Sequence, residues 1–103
     1  MQNKVKEFND EKNCHREPMP VYARLLDIES EVGELSKEVL KSTKYGTKDF
    51  VVTDDFKLEL GDVLYSVLSM ADEVGVDAKE CLESVVKKYK TRIDGSGNMG
   101  SEG

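Results

Sequence analysis

Two segments of the chain repeat one five-residue pattern in register. Glu31-Val32-Gly33-Glu34-Leu35 and Glu59-Leu60-Gly61-Asp62-Val63 both read acid, aliphatic, glycine, acid, aliphatic. Val39-Leu40 follows the first and Val67-Leu68 the second at matching offsets. Around the first pattern, Leu25, Ile28, Val32, Leu35 and Val39 recur at steps of three and four, and Phe56, Leu60, Val63, Val67 and Val74 line one side of the second at steps of four, three, four and seven. That period belongs to a helix with one apolar seam. At about 100° per residue, Glu34, Glu38 and Asp27 fall within about 60° of Glu31, while the seam centres about 70° to the other side. Asp62 and Asp55 hold the same offsets from Glu59. Each helix therefore carries an acidic stripe beside its seam. If the seams face each other in an antiparallel pair, the inner edges of the stripes meet.

The remaining chain frames that pair. Residues 2 to 12 predict a short helix with a thin apolar edge of Val5 and Phe8, ended by Pro18 and Pro20. Pro20 can open the first long helix, which is expected to run to about residue 43 and to stop around Tyr45-Gly46. Phe50, Val51 and Val52 lie in a linker able to dock on the core, and Phe50 to Thr53 is the single stretch with strand character. The second long helix is expected over Asp54 to Glu73, capped by Thr53 or Asp54 and broken at Gly75-Val76. Asp77 and Glu80 form a capping box for a last helix whose apolar side is Leu82, Val85, Val86 and Tyr89. From Asp94 the sequence DGSGNMGSEG reads as a flexible tail. The expected fold is an all-α antiparallel bundle in one domain, residues 1–93, with a tail at 94–103. Tyr22, Leu26, Leu40, Leu64 and Leu68 lie about 100° from the seams. Such surplus apolar helix surface predicts completion of the bundle by homo-oligomerisation, and leaves open whether the site is shared between subunits.

The chain has 103 residues, with 15 Lys+Arg against 21 Asp+Glu and a net charge of -6. This balance argues against a nucleic-acid partner. No apolar run approaches the roughly 20 residues that span a bilayer, and MQNKVKEFND lacks the apolar core of a signal peptide. The expected setting is cytoplasmic, with Cys14 and Cys81 as free thiols and His15 an ordinary exposed neighbour of Cys14. Ten of the 21 acids lie between Asp27 and Asp62. Half-buried carboxylates facing one another cost several kcal/mol unless neutralised. A divalent cation supplies that charge, and a set of four carboxylates offers the hard oxygen ligands of Mg²⁺ or Mn²⁺, whereas zinc would want clustered His or Cys. Glycine inside a helix costs about 1 kcal/mol relative to alanine. The matched Gly33 and Gly61 therefore predict a close helix approach or a ligand near the backbone.

The combination EVGEL … ELGDVLY, over residues 20 to 93, resembles the MazG-like nucleotide pyrophosphohydrolases, whose motif is ExxE, a spacer, then ExxD on two helices of an all-α bundle. The resemblance implies Mg²⁺-dependent hydrolysis of nucleoside triphosphates between the α and β phosphates, giving a monophosphate and pyrophosphate, in nucleotide-pool house-cleaning. It implies Glu31, Glu34, Glu59 and Asp62 as metal ligands and Lys88 and Arg92 as contacts to the triphosphate. Glu34 or Glu38 is then the group that orients the attacking water or takes its proton. It further implies a homodimer or homotetramer. Two departures stand out. Ser30 occupies the place of an acid that often opens the first motif, and the chain has no Trp on which a base could stack. Phe8, Tyr22, His15 and Arg24 are the candidates for that stacking role. The competing reading is a non-catalytic helical module that binds a partner, or senses nucleotide or metal.

Overall fold

A computed structural model of the chain describes residues 1–12 and 20–96. Its elements are α1 (Gln2–Glu11), α2 (Val21–Ser42), α3 (Asp54–Glu73) and α4 (Ala78–Ser96), with no strand among the described residues. The all-α expectation holds, and local signals explain most helix limits. Pro20 is the N-cap of α2, and its carbonyl accepts from the amides of Ala23 and Arg24 at 3.0 and 3.1 Å. Thr53 caps α3, its Oγ1 accepting from the Phe56 amide at 3.0 Å. Gly75 ends α3 at φ 74. The Val76 and Gly75 amides donate to the carbonyls of Ala71 and Asp72, the paired bonds of a Schellman close. Asp77 Oδ1 accepts from the amides of Lys79 and Glu80, as a cap at the start of α4 should.

One limit falls where it was expected and one does not. α2 ends at Ser42 with Thr43 as its C-cap, and the turn that follows takes in Tyr45-Gly46. The Thr43 hydroxyl donates to the Val39 carbonyl and accepts from the Gly46 amide, and this local bonding competes with a further helical turn. The close is again of Schellman type, with Lys44 rather than glycine at its left-handed position, φ 46. At the other end, α4 continues through Ser96, past the Asp94 where the tail was expected to begin. Cys14, His15 and the rest of the tail lie outside the described residues. The strand-like Phe50–Thr53 is not part of a strand but does dock. Val51 exchanges hydrogen bonds with the Ser42 hydroxyl, and the Phe50 ring meets Phe56 edge-on at 5.1 Å.

α2 lies along α3, and α1 also packs on α3. Contacts between α2 and α3 pair Arg24 with Glu73 and Asp27 with Ser66, so the two helices run antiparallel. α1 is held by directional polar contacts. Asn9 Nδ2 donates to Ser69 Oγ at 3.2 Å, and Tyr65 Oη donates to Asn9 Oδ1. Gln2 donates to the Val76 carbonyl and accepts from the Ala78 amide, tying the start of α1 to the α3–α4 corner.

The apolar seams are only half covered within one chain. Leu68 is the single large apolar side chain that is buried among the described residues, while Asn9, Ser66 and Ser69 are buried polar ones. Leu25, Val32 and Leu60 remain 44–48% exposed. On α4, Leu82, Val85, Val86, Tyr89 and Ile93 are all exposed. The radius of gyration is 17.0 Å, where a compact domain of this length would have about 13 Å. The close approach expected at Gly33 and Gly61 is not found within the chain: a Cβ at either would meet nothing within 4 Å.

Candidate metal centre

The antiparallel pairing puts Glu31 of α2 opposite Glu59 and Asp62 of α3. One carboxylate oxygen from each lies within 4.8 Å of the others. Glu31 and Glu59 are half-buried and Asp62 is exposed. Glu59 and Asp62 are three apart on α3 and so share a face, and the seam offset turns that face toward Glu31.

The electrostatics are those of a site short of positive charge. Partial burial, then the negative charges of Asp62, Asp27 and Glu34, hold the Glu31 carboxyl above the ordinary carboxylate range. Partial burial, then Asp62, Glu34, Glu31 and Glu38, do the same to Glu59. Each group resists ionisation because burial strips its charge of water and the nearby carboxylates repel it. The donor set suits a hard divalent ion: three carboxylates, converging, with no nitrogen or sulfur ligand among them. Glu31, Glu59 and Asp62 would hold such an ion.

The other expected residues lie at graded distances from this trio. Glu34 is outside it, exposed, with its carboxylate 3.7 Å from Lys37 Nζ, although its charge acts on both Glu31 and Glu59. Glu38 is 16% exposed, pairs with Lys41 at 3.3 Å, and its charge reaches Glu59. Glu34, Lys37, Glu38, Leu40, Lys41 and Tyr45 line an open cleft of about 250 Å³ on this side of α2. Lys88 and Arg92 ride on α4, which is not laid along α2 or α3. Lys88 Nζ sits 5.8 Å from the Tyr89 ring centre, and Arg92 is half-buried.

Of the residues considered for stacking a base, Arg24 is committed elsewhere. Its guanidinium grips Glu73 with two bonds, at 3.2 and 2.8 Å. Phe8 packs edge-on against Tyr65 with ring centres 6.1 Å apart, and Tyr22 is exposed. Sequence reasoning placed Asp27 in the acidic stripe but missed its partners, Arg24 and Ser66. Ser66 carries no helical-period signal that distinguishes it from a solvent-facing serine.

A model of the MazG nucleotide pyrophosphohydrolase domain matches residues 23–95. The uncharacterized protein YpjD of Bacillus subtilis (strain 168) is 35% identical over 78 residues. The match covers 73% of this chain and 66% of that relative, a little under two thirds of its length. No solved structure matches the chain. No described helix is long and apolar enough to cross a membrane. The domain match takes in α2, α3 and α4 almost entire, including both acidic motifs; the chain belongs to the MazG nucleotide pyrophosphohydrolase domain family.

Proposed function

We propose that this chain hydrolyses ribo- or deoxynucleoside triphosphates to a nucleoside monophosphate and pyrophosphate, with Mg²⁺ as the natural ion and Mn²⁺ as a substitute. The observation that carries the reading is the convergence of Glu31, Glu59 and Asp62 within 4.8 Å, inside the domain match. A bound divalent ion would supply charge to offset that developing on the phosphate oxygens in an in-line displacement. Glu31, Glu59 and Asp62 hold and orient it. Glu34 joins as a fourth ligand by turning away from Lys37, an exposed pair worth little. Glu34 or Glu38 orients the attacking water and accepts its proton. The raised proton affinity of Glu31 and Glu59 supports a stripe that favours taking up positive charge.

Lys88 and Arg92 bind the departing pyrophosphate end. They are four residues apart, one turn along one face of α4. The half-exposed seams and the uncovered α4 face support a homodimer or homotetramer in which α4 of one copy covers the hairpin of another. Charge complementarity fits that docking, since α4 carries Lys79, Lys87, Lys88, Lys90 and Arg92 and the hairpin carries the acidic stripes. The exposed free thiol of Cys81 fits a reducing, cytosolic setting.

The test is to incubate pure protein with a panel of nucleoside triphosphates in Mg²⁺ and in EDTA, and to assay pyrophosphate. Metal-dependent pyrophosphate from at least one of them is the expected result. None from any of them refutes the activity, and orthophosphate alone would mean that a different bond is cut.

A further inference from the structure

One polar chain runs across the α2–α3 hairpin beside the acids without belonging to them. Glu73 receives two hydrogen bonds from Arg24, and the two side chains are 15% and 13% exposed. Arg24 Nη1 reaches Asp27 Oδ2 at 3.3 Å, and the same oxygen accepts from Ser66 Oγ at 3.2 Å. Ser66 itself is 3% exposed. Asp27 lies one turn before Glu31, and Ser66 lies one turn after Asp62. On antiparallel helices, the Asp27–Ser66 contact is therefore the rung next to Glu31–Asp62.

Something must fix the axial register of this hairpin. Hydrophobic attraction is non-directional, and here it is thin, because Leu68 is the only large apolar side chain buried among the described residues. A slip of one helical turn is about 5.4 Å, more than the 4.8 Å that spans the trio. Hydrogen-bonded, partly buried polar pairs are suited to setting registry, because each misaligned state leaves a charge or hydroxyl unpaired. We propose that Glu73–Arg24–Asp27–Ser66 is the register clamp of the metal centre, with Ser66 and Asp27 as positioning residues that hold Glu31 opposite Glu59 and Asp62. Asp27 is thereby kept for the clamp and out of the ligand set. The assignment rests on the metal reading of the trio for its function, but the clamp itself is a statement about geometry.

The test begins with metal-stripped protein titrated with Mn²⁺, the free ion being followed by electron paramagnetic resonance. Ser66→Ala removes one hydroxyl and no charge. It should bind Mn²⁺ about tenfold more weakly, the scale of outer-shell losses at metal sites, with helical content unchanged by circular dichroism. Ser66→Thr restores the hydroxyl and should recover most of the affinity. Affinity of Ser66→Ala equal to wild type overturns the proposal. A second measurement uses nitroxides at exposed Glu29 and Lys57, with Cys14 and Cys81 changed to serine and the labelled chain diluted in unlabelled chain. The distance distribution should be narrow in the parent and broader or displaced in Ser66→Ala. The same narrow distribution in both overturns the clamp. If wild type binds no Mn²⁺ at all, the metal reading falls, and the spin-label distances still decide the clamp.

Discussion

The apolar face of α4 gives the prediction with the largest magnitude. A folded monomer of 11.6 kDa should expose about 5,800 Å², yet the chain exposes 7960 Å². The difference, about 2,100 Å², is the order of area that each subunit of an obligate homodimer buries. Leu82, Val85, Val86, Tyr89 and Ile93 form a continuous helical stripe within that excess, each 39–63% exposed. Val86→Asp puts a carboxylate in the middle of the stripe. Burying a valine contributes about 1.5–3 kcal/mol, and an unpaired buried carboxylate costs several more. Together these exceed about 4 kcal/mol per chain, a large part of the 5–15 kcal/mol typical of a whole domain. Two-fold symmetry would apply the loss twice per interface. Ser84→Asp, about 200° around the same helix, is the matched control. Light scattering after size exclusion, with thermal circular dichroism at one fixed concentration, reads the outcome. Wild type and Ser84→Asp should run as multiples of 11.6 kDa and melt cooperatively; Val86→Asp should lose both properties. A wild type that is a cooperatively melting monomer, or a Val86→Asp variant within about 2 °C of wild type at unchanged mass, refutes the reasoning.

Two further predictions concern charge and backbone. Glu31 and Glu59 bind protons more tightly folded than unfolded, so in EDTA their contribution to stability is present at low pH and is lost as pH rises through their raised values. Wild type should therefore lose melting temperature over that window relative to Glu59→Gln in EDTA, while Mg²⁺ should reverse the order; coincident curves in EDTA and Mg²⁺ would contradict this. Lys44 holds the left-handed position that closes α2, where a non-glycine residue costs roughly 1 kcal/mol. Lys44→Gly should accordingly raise the melting temperature, and a lowered one would show that the Lys44 side chain makes a contact outweighing that strain.

How far the sequence foretold this structure depends on whether a feature is local. The repeated acid–Gly–acid motif on two amphipathic segments was enough to place α2 and α3, orient them antiparallel and bring Glu31 to Glu59 and Asp62. The limits of α3 match because Thr53 and Gly75 act on their immediate neighbours. The end of α2 near residue 43 was legible from the stop at Tyr45-Gly46, but the bond of Thr43 back to Val39 that helps close it is not revealed by period. Asp27 was legible as an acid on the stripe but not as a clamp residue, since its partner Ser66 is 39 residues away on another helix. The direction of α4, and with it the reach of Lys88 and Arg92, depends on the α3–α4 corner and the Gln2 bridge, neither of which leaves a periodic trace.

The central claim is that the Glu31, Glu59 and Asp62 trio is a divalent-metal site that cleaves nucleoside triphosphates to release pyrophosphate. The most direct measurement compares wild type with Glu59→Gln on the best substrate from the nucleotide panel, at equal helical content and equal assembly mass. Wild type should release pyrophosphate and nucleoside monophosphate in equal amounts in Mg²⁺ and none in EDTA, and Glu59→Gln should fall by 100-fold or more, roughly the 2.7 kcal/mol expected when charge stabilisation of the transition state is lost. Turnover by Glu59→Gln near the wild-type rate, or wild-type turnover undiminished in EDTA, would contradict it.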